Sequence, residues 1–159
     1  MDDTMIRIIN ATNPDMPPWP ERVTVLFEVT GASDAAVAEQ LDILTQVTRG
    51  FSGTQERVLT DPEQCKDLWI LRKQCLWSAM SAYPDCEAMI TDACVPLSRL
   101  AEIIESTRKR IDASSLPCPI IAHAGDGNFH GTLYTIYTLY TLPTIHISLT
   151  YYSHIVSLT

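Results

Sequence analysis

Residues 118–134 read CPIIAHAGDGNFHGTLY. Two strand-like runs, CPIIAHA and NFHGTLY, flank Asp126-Gly127, the dipeptide best suited to a tight two-residue hairpin turn. With Asp126 and Gly127 as the turn residues, Gly125 pairs with Asn128, Ala124 with Phe129 and His123 with His130. Directly opposed residues share a face, with Cβ atoms ~4.5–5.5 Å apart. Two imidazoles so placed can converge on one metal at ligand distances of ~2.0–2.1 Å. Gly125 and Gly127 also let the backbone approach a ligand closely. Two histidines do not close a metal site, so an ordinary hairpin with cross-strand histidines stands beside the metal reading.

Upstream of the hairpin, the pattern alternates between helix and strand periods. A proline-rich approach (Pro14, Pro17, Pro18, Pro20) leads into RVTVLFEVTG at residues 22–31. There Val23, Val25, Phe27 and Val29 alternate with Thr24, Leu26, Glu28 and Thr30, which predicts a strand ended by Gly31. Ser33 can cap a helix carrying Val37, Leu41, Leu44 and Thr48 at helical spacing, with Gly50 as its stop. Asp61-Pro62-Glu63 opens a second helix that runs to about Ala82, because proline at the first helical position removes no needed donor. EAMITDACVP, residues 87–96, predicts a strand closed by Pro96. Ser98 is placed as the cap of a third helix with Leu100, Ile103, Ile104, Thr107 and Ile111 on one face. The order is strand, helix, helix, strand, helix, strand, strand. That is an α+β fold, a mainly antiparallel sheet with helices packed on one face.

Composition narrows the partners. The 159 residues suit one domain, and 19 acidic residues outweigh 11 basic ones for a formal charge of −8. An acidic surface disfavours nucleic acid or anionic membrane as a partner. The one basic cluster, Arg108-Lys109-Arg110, reads as a solvated helix end, where cations complement the helix dipole. Five cysteines (65, 75, 86, 94 and 118) contain no C-x-x-C pair. Together with the missing signal peptide, they indicate free thiols in a reducing compartment, and the N-terminus is too acidic for a transit peptide. Residues 132–159 hold no charged residue and five of the six tyrosines. Such a Thr/Tyr/Ile/Leu tract is strand-prone and lacks gatekeeper charges. Pro143, His146, His154 and the many hydroxyls disfavour a membrane span. The domain is therefore read as residues 1–133, and residues 134–159 as a tail foreign to it, translated from non-coding or out-of-frame sequence.

A second constellation lies on the helix from Asp61. At 100° per residue, Cys65, Leu68, Trp69, Cys75, Leu76, Ala79 and Met80 share a face, with Arg72 near its middle. A guanidinium facing a core is costly unless a carboxylate or phosphate pairs with it. An internal salt bridge to Asp92 or Glu28 and an anionic substrate are both open as that partner. Trp69 and Trp77 are read as core or interface. Cys75 and Cys94 are read as buried apolar side chains. There is no P-loop, no Ser-His-Asp arrangement and no G-x-G-x-x-G.

HAGDGNFH, residues 123–130, resembles the H-x-G-D-G-N-x-H signature of the FAD-linked oxidase C-terminal domain. DLWILRKQCLWSA (67–79) and TDACVPLSRLAEII (91–104) resemble the segments that precede it in cytochrome-linked D-lactate dehydrogenases. The resemblance implies a ferredoxin-like substrate domain of a mitochondrial flavoprotein that takes hydride from a D-2-hydroxy acid onto FAD. Electrons would then pass to an acceptor such as cytochrome c. It implies that His123 and His130 ligate a divalent metal such as zinc or manganese, that Asn128 orients the same loop, and that Arg72 clamps the substrate carboxylate. Asp92, Val95 and Pro96 match backbone that faces the flavin. The octapeptide is common to lactate, glycolate and 2-hydroxyglutarate enzymes, so it names the substrate class.

The departures from that pattern imply a fragment. The family's flavin-binding domain is not in this chain, and neither is the later Gly-Glu-His-Gly segment that supplies a third metal ligand. His146 and His154 do not match it. The chain is therefore expected to lack activity by itself and, if it has no targeting of its own, to remain cytoplasmic. The alternative reading is a non-enzymatic truncated product that binds a metal or a partner subunit.

Overall fold

The computed structural model describes residues 1–51 and 57–136. Its elements run α1 (Asp3–Thr12), α2 (Asp34–Gly50), α3 (Pro62–Ala82), β1 (Cys86–Ile90), β2 (Ala93–Cys94), α4 (Leu97–Ser114), β3 (Ile120–His123), a 3₁₀ turn (Ala124–Asp126) and β4 (Asn128–Ile136). Strand β4 is central, and β1, β2 and β3 all pair with it antiparallel. This is the expected α+β class.

The register explains how one expected strand becomes two. Cys86 opposes Ile136 and Ile90 opposes Thr132; Ala93 then opposes Phe129 in the same phase. The expected strand at 87–96 is thus one ladder interrupted at Thr91 and Asp92. At the break, Thr91 N and Oγ1 both donate to Gly131 O, at 2.9 and 3.0 Å. A strand running past Leu133 also carries Tyr134, Thr135 and Ile136 into the sheet opposite Ala88, Glu87 and Cys86.

Successive residues of a strand face opposite ways, and the two cores follow that alternation. Ile121 and Tyr134 pack with Met5, Ile6, Ile8 and Ile9 of α1 and Leu71, Cys75 and Ala79 of α3. Ile120 and Phe129 pack with Leu100 and Ile111 of α4 and with Cys118. One face therefore carries α1 and α3 and the other carries α4, so the helices do not all pack on one face as the sequence reading expects.

Helix α1 is the element that the sequence reading passes over, folding it into the proline-rich approach. Its signals are present: Asp2 caps it, accepting from Met5 N at 2.8 Å, and Met5, Ile6 and Ile9 form its buried stripe. Helices α2 and α3 begin at the expected caps, Ser33 and Asp61. Helix α4 starts two residues earlier than expected, with Pro96 rather than Ser98 in the cap position and no side-chain cap bond, so Ser98 lies inside the first turn.

Residues 22–31 do not form a strand. Val23, Val25 and Phe27 are 75, 53 and 57% exposed. The backbone exchanges one pair of bonds with Met1, Thr24 N to Met1 O at 2.9 Å and Met1 N to Thr24 O at 3.0 Å. Alternation makes an extended segment, but a strand also needs a neighbour to complete the ladder, and none among the described residues lies along it. Helix α2 covers Phe27, Glu28 and Val29 across an open cleft lined by Gln40, Ile43, Leu44 and Val47, and none of its residues is fully buried.

The basic cluster is also corrected. Arg108 is only 27% exposed and reaches Asp2 Oδ2 at 3.2 Å, Cys118 O at 3.1 Å and Asp112 Oδ1 at 2.7 Å. Asp2 is buried, and its backbone N–H caps the edge of β3 by donating to Ile120 O at 3.0 Å. Burial pushes the Asp2 carboxyl above its usual range, against the Met5 N–H and the Arg108 charge that pull it down. A long arginine can cross from α4 to the start of α1, and an uncompensated buried carboxylate gives it the reason to do so.

Candidate functional site

The hairpin turn is longer than two residues, and that moves the histidines. His123 opposes Asn128, and Ile121 opposes His130, so Ala124, Gly125, Asp126 and Gly127 together form the loop. The expected pairing of His123 with His130 is therefore shifted by two residues. Gly127 accounts for the loop: its φ is +70°, and a Cβ there would collide with the carbonyl oxygen of Val95. Its own carbonyl accepts from Val95 N at 2.8 Å. A slip of one residue would have sent one histidine to the opposite face, whereas a slip of two leaves both on the same face. The imidazole centroids are 5.5 Å apart, edge to face.

A third chain segment completes the row. The phase of β1 and β2 against β4 sets Asp92 opposite His130 and Cys94 opposite Asn128. Asn128 Nδ2 donates to Asp92 Oδ1 at 2.6 Å and lies 3.2 Å from Cys94 Sγ. His130 Nδ1 stands 3.6 Å from the same Asp92 oxygen. Cys94, expected to be a buried apolar side chain, is exposed and serves Asn128, while Cys75 is buried as expected. Parity in the β1–β2 ladder is the signal that could have joined Asp92 and Cys94 to the histidines from sequence.

Arg72 approaches the row from α3, on the sheet face that carries Ile121 and Tyr134. Its Nη2 donates to Ala122 O, the residue before His123, at a long 3.4 Å. Among the described residues no carboxylate pairs with it, so neither Asp92 nor Glu28 is its ion-pair partner. The buried stripe of α3 is Leu71, Cys75 and Ala79, with Arg72 flanking the stripe where the sequence placed it near the centre. Met80 and Trp77 are 41 and 67% exposed, on the outer side of that helix.

Val95 and Pro96 sit where β2 turns into α4. Val95 is held against Gly127, and Pro96 takes the helix cap. Both therefore border the loop that joins the two histidine strands. Among the described residues no group of three or more His, Cys, Asp or Glu is arranged to hold a metal ion. His123 and His130 have the donor chemistry of zinc or manganese ligands, but Asp92 is already engaged by Asn128. These two histidines are the residues that could hold such an ion, and among the described residues no third donor is arranged with them. His146 and His154 lie outside the described residues, as does the tract from residue 137 onward. No helix among the described residues is long and apolar enough to cross a membrane.

The chain is similar in sequence to known proteins. A family model for FAD linked oxidases, C-terminal domain, matches residues 1–139. Over 130 residues the chain is 45% identical to a mitochondrial D-lactate dehydrogenase (cytochrome) of Arabidopsis thaliana, covering 82% of this chain and 22% of that protein. A mitochondrial D-lactate dehydrogenase (cytochrome) of Kluyveromyces lactis is 34% identical over 137 residues, covering 82% and 23%. A probable mitochondrial D-lactate dehydrogenase of Danio rerio is 35% identical over 130 residues, covering 82% and 26%. The chain spans about a quarter of the length of the curated relatives it matches.

Proposed function

The chain belongs to the family of FAD-linked oxidase C-terminal domains, and on that footing we propose that it is the substrate- and metal-binding part of an FAD-dependent dehydrogenase. The reaction is oxidation of D-lactate, or a similar D-2-hydroxy acid, to the 2-oxo acid. The observation that carries this reading is the gathering of His123, Asn128 and His130 on one sheet face, with Arg72 reaching the same strand without a carboxylate of its own. A 2-hydroxy acid has an anionic end and a polar hydroxyl on the adjacent carbon, and this row offers a partner for each.

Arg72 binds the carboxylate. Its planar fork has two parallel donors for a carboxylate, and its present bond to Ala122 O is long enough to yield. Asn128 orients the hydroxyl, and His123 and His130 would hold the divalent metal beside it. Holding both ends of the substrate places the α-carbon in one orientation, which removes much of the entropic barrier to the transfer. Asp92, Val95 and Pro96 would face the flavin when it is bound. When bound, FAD would supply the two-electron acceptor and the metal the Lewis acidity that makes the hydroxyl easier to deprotonate. Electrons leave to an acceptor such as cytochrome c, and the protein that contains this domain works in mitochondria, as the names of its relatives suggest.

By itself the 159-residue chain is expected to turn over no hydroxy acid, since it spans about a quarter of its relatives' length and two histidines leave a metal site open. We also propose that the uncharged tract is foreign to the domain from residue 140, past the family match, rather than from residue 134 as expected from sequence. A second reading, a non-enzymatic product that binds a partner subunit, is favoured by one observation, the exposed apolar side chains of residues 23–27. The test is to join residues 1–139 to the flavin-binding and remaining segments of a relative. D-lactate, and not L-lactate, should then reduce cytochrome c. A folded, flavin-loaded chimera that oxidises no D-2-hydroxy acid would leave the partner-binding reading in its place.

A further inference from the structure

Asp92 contributes more than a stretch of backbone. We infer that its carboxylate is the positioning group of the site, one oxygen orienting the Asn128 amide and selecting the tautomer of His130. The inference rests on the roles proposed above for those two residues.

The bonds of Asn128 fix its orientation. Its Nδ2 lies 2.6 Å from Asp92 Oδ1 and 3.2 Å from Cys94 Sγ, so the donor end of the amide faces the β1–β2 side. A flipped amide would set its carbonyl oxygen against the carboxylate, two acceptors with no proton between them. The carboxylate thereby turns the Asn128 oxygen away from itself, free to accept from a hydroxyl.

The same Asp92 oxygen faces His130 Nδ1 at 3.6 Å. That is longer than a hydrogen bond, yet a negative oxygen at this range favours the proton on Nδ1 over Nε2. The lone pair then falls on Nε2, the nitrogen a metal would take, in the manner of carboxylate–histidine pairs behind bound metals. The ladder places Asp92 opposite His130, and the break between β1 and β2 falls at this residue. Its side chain is 69% exposed, so removing the charge leaves the core intact.

The test uses the full chain, free of metal and labelled with ¹⁵N-histidine. Long-range ¹H–¹⁵N spectra at about pH 8, above the usual imidazole range, report the tautomer of each ring. His130 should carry its proton on Nδ1. Asp92→Asn should move it toward Nε2 while His123 stays unchanged, and Asp92→Glu should restore part of the shift. Cobalt(II) titration of the same proteins should weaken about 10–100-fold in Asp92→Asn. A His130 protonated on Nε2 in the unsubstituted chain, or unaffected by Asp92→Asn, overturns the inference. If the tautomer responds while none of the proteins binds cobalt, the positioning role stands and the metal reading fails.

Discussion

Replacing Gly127 with alanine tests the hairpin on which the whole site depends. The residue sits at φ +70°, and an added Cβ would run into Val95 O, a backbone atom that cannot rotate aside. An L-residue in the left-handed region costs about 1–2 kcal/mol. Relieving the collision must also stretch the 2.8 Å bond from Val95 N to Gly127 O, for roughly another 0.5–1.5 kcal/mol. Gly127→Ala should therefore lose about 2–3 kcal/mol, read as a lower urea midpoint at unchanged slope. Gly125→Ala is the built-in control: nothing lies within 4 Å of a Cβ there, so its midpoint should hardly move. The displaced Val95 would also pull Cys94 and Asp92 away from Asn128, so the Asn128 side-chain resonances should shift in Gly127→Ala alone. Equal midpoints for the two variants would refute the account of the turn.

In the completed chimera, Arg72→Lys replaces a planar fork with a point charge. It should reduce kcat/KM for D-lactate by roughly ten- to a hundredfold, with little change in urea midpoint; a large midpoint shift with normal kinetics would make Arg72 structural. Arg108→Ala leaves the buried Asp2 carboxylate without its cation. It should destabilise the chain by about 2–3 kcal/mol, below the ~3–5 of a fully buried pair because Arg108 remains 27% exposed; a thermal melt within error of the parent would contradict this. Burial raises the Cys118 thiol to about 11 and the Tyr134 hydroxyl to about 12, from 9.0 and 10.0. The fold thus favours the protonated forms, and stability should be full below about pH 9 and fall as pH rises through 11 and 12. Urea midpoints from pH 8 upward check the trend, and Cys118→Ala should blunt its first part.

Signals that act within a few residues are legible in the sequence. Ser33 and Asp61 cap the helices expected of them because a cap bond spans only three residues. The octapeptide marked His123, Asn128 and His130, and the shift of two residues kept them on one face. What failed was whatever depended on a neighbour. The alternation at 22–31 gave no hint that the ladder partner is missing. Arg108 looked solvated because its partner, Asp2, is 106 residues away in the chain. The same holds for Arg72, whose place beside the buried stripe depends on how α3 rotates against α1. Helix α1 is short, ten residues followed at once by Pro14, Pro17, Pro18 and Pro20, and a proline cluster is itself a strong loop signal.

Among the described residues, strand β4 is the only partner of every other strand, so the sheet has the connectivity of a hub and spokes. That sets an order of events during synthesis, in which the chain emerges from its N-terminal end. The segments of β1 and β2 exist for dozens of residues before anything can pair with them. The β1 edge waits longest, since Cys86 meets Ile136, the last residue of the hub. Until then β1 is an apolar strand with open hydrogen-bonding edges, the state most open to wrong partners. A ribosome-bound chain arrested before residue 128 should bind a chaperone that recognises extended apolar segments, and release should coincide with the emergence of β4 from the exit tunnel.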